Sequence, residues 1–202
     1  MSVVLPFELD PAVSLDFSER LRCMTDEEFY YFCQDNAPLS FERDVDGTIR
    51  TMAQTGGETG RKNAKLTSRL DLWSDDTGLG VVFDSSTGFK LPNGSTRGPD
   101  AAWVSYTRWN ALTPDQRKRF PPLCPEFVVE LPSESDTLEA TETKLREYVA
   151  NGCRLGWLID PRTEDVRIYR ADGSVSVVRG FDQTLSGEAV LPGFSFDLRL
   201  LR

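Results

Sequence analysis

Two short apolar runs, each carrying one carboxylate, restrict most strongly how this chain can fold. The first follows Asp100 and covers residues 101–104 (Ala-Ala-Trp-Val); the second covers residues 127–129 (Phe-Val-Val) and ends at Glu130. Runs of this length and composition are typical of strands buried inside a sheet. A carboxylate in such a strand costs free energy unless another group compensates it. Two of them on nearby strands would form an oxygen-ligand site for a hard divalent cation.

A simpler interpretation is open for each acid taken alone. Asp100 would cap the turn after Pro99, and Glu130 would pair with an arginine, since buried charges are often simply paired. The two positions together favour a shared site, because both acids border apolar strands and a Pro-Ser loop follows Glu130 almost at once. The shared site requires that the strands be neighbours and that both carboxylates lie at the same end of the sheet.

The composition excludes several classes of enzyme. The 202-residue chain contains no histidine, which excludes Ser-His-Asp and Cys-His catalytic groups and histidine-based zinc sites. The four cysteines show no CxxC spacing, so we expect reduced thiols in a cytoplasmic protein. The first 20 residues have no basic region before a long apolar stretch, so we expect no secretory signal, and no apolar run approaches the roughly 18 residues of a membrane span. The net charge of -9 counts against tight non-specific binding of nucleic acid, but it permits a local basic patch beside an acidic metal site.

The order of the predicted elements indicates an α/β fold with a mixed central β-sheet flanked by helices. Residues 1–24 are predicted to form an N-terminal arm, and residues 25–202 a single domain. A capping-box pattern at residues 25–28 predicts the start of the first helix. Further helices are predicted at about 58–75, within 107–120 and at 138–150. Strands are predicted at 39–44, 48–53, 78–83, 87–91, 97–104, 125–131, 155–159, 166–169 and 175–178.

Lys144 lies in the predicted helix at residues 138–150, at the border of its core face. That face consists of Leu138, Thr141, Leu145 and Tyr148. From this border the ammonium could point toward the end of the Glu130 strand. An ammonium beside a metal site can orient the attacking water or stabilise charge that develops on a phosphate. An ordinary solvated lysine is the commoner outcome for a helical lysine, and this alternative is open.

Five segments, in this order, resemble the Uma-type restriction endonuclease family, a branch of the PD-(D/E)XK nuclease superfamily that is abundant in cyanobacteria. They are GPDAAWV at 98–104, FVVELPS at 127–133, KLREY at 144–148, GWLIDP at 156–161 and LPGF at 191–194. The resemblance covers about residues 25–200. It implies a restriction-endonuclease-like fold, DNA as the substrate and a divalent metal ion, Mg²⁺ or Mn²⁺, as the cofactor.

The resemblance also implies roles for individual residues. Asp100 and Glu130 would be metal ligands, together with the backbone carbonyl of Leu131, and Asp100, Glu130 and Lys144 would be catalytic. The superfamily lysine normally lies two residues after the glutamate, and Pro132 occupies that position here. In this branch the lysine lies on the following helix, which matches Lys144.

Two further acids and a basic stripe are supporting candidates. Glu42 resembles the glutamate that precedes the first hairpin in this family, and Glu58 opens the helix that carries the stripe. A surface strand residue and a helix N-terminal acid are the simpler interpretations of the two. The stripe would lie along a nucleic-acid backbone, although a solvated helix face is commoner for such a run. Its members are Arg61, Lys62, Lys65 and Arg69.

The residues together with the resemblance therefore favour a metal-dependent endonuclease that hydrolyses phosphodiester bonds, and the resemblance alone implies that the substrate is DNA. A bound Mg²⁺ would lower the pKa of a water and neutralise charge at the phosphate. A non-catalytic binding or regulatory module on a nuclease scaffold is the alternative, suggested by the acidic composition and by Pro132. A hydrolase of small phosphorylated molecules is a third hypothesis. The sequence leaves the oligomeric state open, although nucleases of this fold often form homodimers to cut both strands.

Overall fold

The computed structural model describes residues 21–134 and 136–202 of the chain. Most of the predicted N-terminal arm, residues 1–24, therefore lies outside the described residues. The helices are α1 (Asp26–Asp35), α2 (Gly57–Thr77), α3 (Tyr106–Ala111), α4 (Pro114–Lys118) and α5 (Leu138–Ala150), and a 3-10 turn covers Leu198–Leu201. The strands are β1 (Ser40–Arg43), β2 (Ile49–Met52), β3 (Gly80–Asp84), β4 (Phe89–Lys90), β5 (Thr96–Arg97), β6 (Ala101–Ser105), β7 (Phe127–Glu130), β8 (Leu155–Asp160), β9 (Asp165–Arg170), β10 (Val175–Arg179), β11 (Thr184–Ser186) and β12 (Ser195–Asp197).

A six-stranded sheet with the order β10-β9-β8-β7-β6-β3 forms the centre of the fold. β7 and β8 run parallel, while the other neighbouring pairs are antiparallel. A parallel pair needs a crossover connection, and α5 provides it. The predicted α/β fold with a mixed sheet and flanking helices is thus confirmed.

Both faces of the central sheet are covered, which explains why its middle strands read as continuous apolar runs. Ala101 and Trp103 of β6 face one core with Leu66 and Leu70 of α2, while Ala102 and Val104 face a second core that includes α5. In the first core the Trp157 ring stacks on Phe194, with centroids 5.9 Å apart. Each fully buried large apolar side chain contributes about 1.5–3 kcal/mol relative to an exposed one.

Gly156 of β8 allows α5 to pack closely on the sheet. A Cβ atom at this position would lie 2.6 Å from Leu145 Cδ1, a distance that the packing does not permit. The glycine therefore brings the helix, and with it Lys144, down against the parallel strand pair.

A second, smaller sheet with the order β2-β1-β5-β4 lies beside the first. The predicted hairpin around residues 45–47 forms, with Ser40 opposite Met52 and Arg43 opposite Ile49. β5 pairs with β1 through Thr96 and Arg43. This pairing places the first hairpin against the chain segment that leads into β6.

The predicted strand at 97–104 is divided in the structure. β5 ends at Arg97, β6 begins at Ala101, and residues 98–100 between them adopt no strand. Pro99 lacks a backbone N–H and cannot donate to a ladder, which accounts for the break. Asp100 therefore lies at the entrance of β6 rather than inside a strand. No helix among the described residues is long and apolar enough to cross a membrane.

Candidate active site

Asp100 and Glu130 lie at the same end of the central sheet. β6 and β7 are antiparallel, and Ala101 is opposite Val129. Asp100 directly precedes the first of these residues and Glu130 directly follows the second, so the start of β6 and the end of β7 bring the two acids together. The tertiary structure thus satisfies the geometric condition that the sequence left open.

The Asp100 carboxylate is held by two hydrogen bonds. The backbone N–H of Leu131 donates to Oδ2 at 2.7 Å, and the side-chain amide of Asn63 on α2 donates to Oδ1 at 2.7 Å. Burial raises the pKa of Asp100, while both donors and the nearby Lys144 act in the opposite direction. The Leu131 peptide, for which a metal-ligating carbonyl was predicted, therefore also positions this carboxylate through its amide.

Lys144 lies inside the site and is not a solvated surface lysine. Its Nζ is 2.8 Å from Glu42 Oε1 and 2.9 Å from Glu130 Oε1, and it donates to the Gly98 carbonyl at 2.9 Å. Only 15% of the side chain is exposed. Burial alone would lower the pKa of Lys144, yet the two carboxylates raise it above its ordinary value.

Glu130 is a buried carboxylate with two other carboxylates nearby. Burial raises its pKa to about 8; Asp100 and Glu42 add to the increase and Lys144 opposes it. Glu130 Oε1 is buried, and its charged partner is the Lys144 ammonium 2.9 Å away, which Glu130 shares with Glu42. Two buried carboxylates that share one ammonium fit a site that binds a further cation.

Glu42 belongs to the same cluster, whereas Glu58 does not. Glu42 is buried on β1 and accepts from the Gly98 backbone N–H at 3.0 Å. The Glu58 side chain is 79% exposed and pairs with Arg61 at 3.3 Å. Glu58 lies in the first turn of α2, where its carboxylate faces solvent, so the simpler interpretation describes it.

Arg97 and Glu147 are residues of the site region that the sequence patterns missed. Arg97 Nε is 2.7 Å from Glu147 Oε2, and its Nη1 is 2.8 Å from Asp44 Oδ1 and 3.5 Å from Glu42 Oε2. One guanidinium therefore links the first hairpin, the entrance of β6 and α5. The sequence contained an indication of both residues. Glu147 lies one helical turn after Lys144, and Arg97 directly precedes the Gly-Pro-Asp segment, so both are close in the chain to predicted site residues.

Asn63 was also missed, although its spacing offered a signal. It precedes Leu66 by three residues and Leu70 by seven, so the three side chains lie along the core face of α2. The basic stripe flanks it: Arg61 pairs with Glu58 and donates to the Arg202 carbonyl at 2.8 Å. The stripe's other members, Lys62, Lys65 and Arg69, form no ion pair with any side chain that the structure describes.

The donor chemistry of the site suits a hard divalent cation that keeps part of its water. Across residues 21–134 and 136–202, acidic and cysteine side chains form no group of three or more that could hold a metal ion. An ion here would combine two carboxylates with neutral oxygens and water, as Mg²⁺ commonly does. Three carboxylates, those of Asp100, Glu130 and Glu42, face the single ammonium of Lys144, which favours an additional positive charge.

A mixed sheet, with two acids converging where β6 begins and β7 ends, defines a restriction-endonuclease-like nuclease fold. The chain belongs to the Uma2 family, described as "Putative restriction endonuclease", whose model matches residues 26–199. Nucleases of this class generally use divalent metal ions.

A solved structure has the same fold. It comes from Anabaena variabilis ATCC 29413 and is described as "a putative nuclease belonging to DUF820". The match has a TM-score of 0.72 and 16% sequence identity, and it covers 88% of this chain and 97% of the other. At this identity the likeness concerns the fold alone. No curated protein matches the chain significantly.

Proposed function

We propose that this protein is a metal-dependent endonuclease that hydrolyses phosphodiester bonds of DNA. The observation that carries the proposal is the convergence of the buried Asp100 and Glu130 carboxylates at one end of the sheet, beside the Lys144 ammonium. Membership of a restriction endonuclease family supports the reaction class and a nucleic-acid substrate.

In this proposal Asp100, Glu130 and the Leu131 carbonyl would hold Mg²⁺ or Mn²⁺. Such an ion, when bound, would supply a water of lowered pKa and positive charge at the phosphate. Glu42 and Glu130 hold the Lys144 ammonium in the site, where its positive charge would stabilise the attacking water or the charge that develops on a phosphate oxygen. Lys62, Lys65 and Arg69, together with Arg61, contact the phosphate backbone beside the site.

The direct test is cleavage of supercoiled plasmid DNA with Mg²⁺ or Mn²⁺. We expect nicked or linear products that EDTA prevents. Asp100→Asn should slow cleavage more than about 100-fold. Replacing a residue that only orients a metal ligand typically lowers activity about 10–100-fold, and the loss of a ligand itself should have a larger effect. Asp115→Asn, which changes an exposed aspartate on α4, is the matched control and should cleave normally. Equal rates for the wild type and Asp100→Asn, or cleavage in EDTA, would contradict the proposal.

Lys144→Met separates the role of the ammonium from metal binding. We expect cleavage to fall about 100-fold or more, the effect of removing a group that stabilises developing charge. Mn²⁺ affinity, measured by calorimetry, should be retained or increased, because the substitution removes a positive charge from beside Glu130. Reduced Mn²⁺ affinity with unchanged cleavage by the bound enzyme would show that Lys144 only supports the ligands.

A further inference from the structure

The unpartnered oxygens of the described chain point to a residue outside the predicted site. Buried side-chain atoms without a hydrogen-bond partner include hydroxyls, nitrogens and two oxygens that can only accept. Those two are Glu130 Oε1, which has the Lys144 ammonium 2.9 Å away, and Asn63 Oδ1, which has no donor among the described residues. Both belong to residues around Asp100, which Asn63 contacts directly.

Buried acceptors without a donor are rare in native proteins and cost about 1–3 kcal/mol each. An ion or an ordered water at the site is an ordinary explanation when one occurs. Asn63 uses its N–H to donate to Asp100 Oδ1 at 2.7 Å, which leaves its carbonyl oxygen without a partner. Turning the amide over would place its oxygen against the carboxylate oxygen, so the observed orientation is the favourable one.

We propose that Asn63 Oδ1 is an additional neutral oxygen ligand of the divalent cation bound by Asp100 and Glu130. This inference rests on the metal site of the proposed function. Carboxamide oxygens are ordinary ligands of hard divalent cations. The side chain thus has two roles, because it holds Asp100 through Nδ2 and contributes an oxygen through Oδ1.

An asparagine suits this position better than an acid. The site already places three carboxylates around one ammonium, so a fourth would add repulsion in the metal-free protein. An aspartate has no N–H and would also lose the hydrogen bond to Asp100. A carboxamide adds an oxygen to the site without adding charge. Because Asn63 lies on α2, an ion that it binds would be connected directly to the helix that carries Lys62 and Lys65.

The test measures Mn²⁺ on the intact protein in the absence of nucleic acid. Pulsed electron paramagnetic resonance in D₂O counts the water molecules on the bound ion, and calorimetry measures its affinity. We expect Asn63→Ala to weaken Mn²⁺ binding about tenfold or more and to add one water to the ion. Asn63→Asp, which restores a ligand oxygen, should keep the wild-type water count. Asn110→Ala, at an exposed asparagine on α3, should match the wild type in both measurements.

The outcomes separate this inference from the nuclease proposal. Equal water counts for the wild type and Asn63→Ala would overturn the ligand assignment, even if the enzyme cleaves DNA. Asn63→Ala could bind Mn²⁺ too weakly for its water molecules to be counted. In that case, Mn²⁺ affinity that returns in Asn63→Asp supports the assignment, and Mn²⁺ affinity that stays low in Asn63→Asp overturns it. Failure of the wild type to bind Mn²⁺ also overturns it. A protein that binds the ion through Asn63 but cleaves nothing would overturn only the nuclease proposal.

Discussion

Replacing Glu130 by glutamine should abolish cleavage and, in EDTA at pH 8, make the protein more stable than the wild type. The loss of cleavage follows from the proposed metal site. The gain in stability follows from burial, because the buried Glu130 carboxylate lies near Asp100 and Glu42 and shares the Lys144 ammonium with Glu42. Removing the Glu130 charge leaves Lys144 paired with Glu42 at 2.8 Å, so the ammonium keeps a partner.

The stability effect should depend on pH in a defined direction. The pKa of Glu130 is about 8 in the folded protein and near 4.5 in the unfolded chain. The folded state therefore binds the Glu130 proton more tightly, and the contribution of this group to stability falls as pH rises from about 4.5 to 8. Each unit of difference in pKa corresponds to about 1.4 kcal/mol. Glu130→Gln should remove this component of the pH dependence.

Urea unfolding in EDTA at several pH values, together with the plasmid assay, tests both effects. Glu126→Gln is the matched control, since Glu126 is also buried but accepts from Ser105 Oγ at 2.6 Å and pairs with Arg108 at 3.3 Å. We expect this control to lose stability and to keep its cleavage activity. A Glu130→Gln variant that is less stable than the wild type at pH 8, or that still cleaves, would contradict the prediction.

Arg97→Met should cause the largest loss of stability among single substitutions around the site, about 3 kcal/mol. Removing one partner of a buried ion pair typically costs about 3–5 kcal/mol, because the remaining charge stays buried. Arg97 contacts three carboxylates, and only 11% of its side chain is exposed. The lower end of the range applies because Asp44 keeps Arg50, and Glu147 keeps donors from Asn93 and Ser95.

The measurement is the urea midpoint, with the slope of the transition unchanged. Arg146→Met is a suitable control, because Arg146 is exposed and its pair with Glu142 within α5 should contribute less than about 0.5 kcal/mol. Arg97→Lys should fall between the wild type and Arg97→Met, since one ammonium cannot reproduce the contacts of a guanidinium fork. An Arg97→Met protein as stable as Arg146→Met would refute the central role of this arginine.

Individual residues differ in how well the sequence alone predicted their positions in the structure. The sequence could single out the two acids because a charge beside an apolar strand costs free energy, and their role as metal ligands stays a prediction. Lys144 was identifiable by its resemblance to a family motif, but its spacing alone did not distinguish a buried ammonium from a solvated one. Glu58 and Asn63 both lie on α2. The way this helix packs against the sheet determines that Asn63 contacts Asp100 and that Glu58 faces solvent. The expectation of a continuous strand through Asp100 was wrong, because Pro99 interrupts the ladder.

The sequence by itself determined the class of fold, the apolar strands that Asp100 precedes and Glu130 ends, and the absence of histidine from these 202 residues. These properties are local, since they depend on the alternation of residues along a strand and on which side chains are present at all. Only the tertiary structure decided that β6 meets β7 in the register that joins the two acids. It also decided that Gly156 brings Lys144 between Glu42 and Glu130, and that Asn63 contacts Asp100. Such contacts arise from the packing of elements far apart in the chain, which periodicity and spacing do not encode.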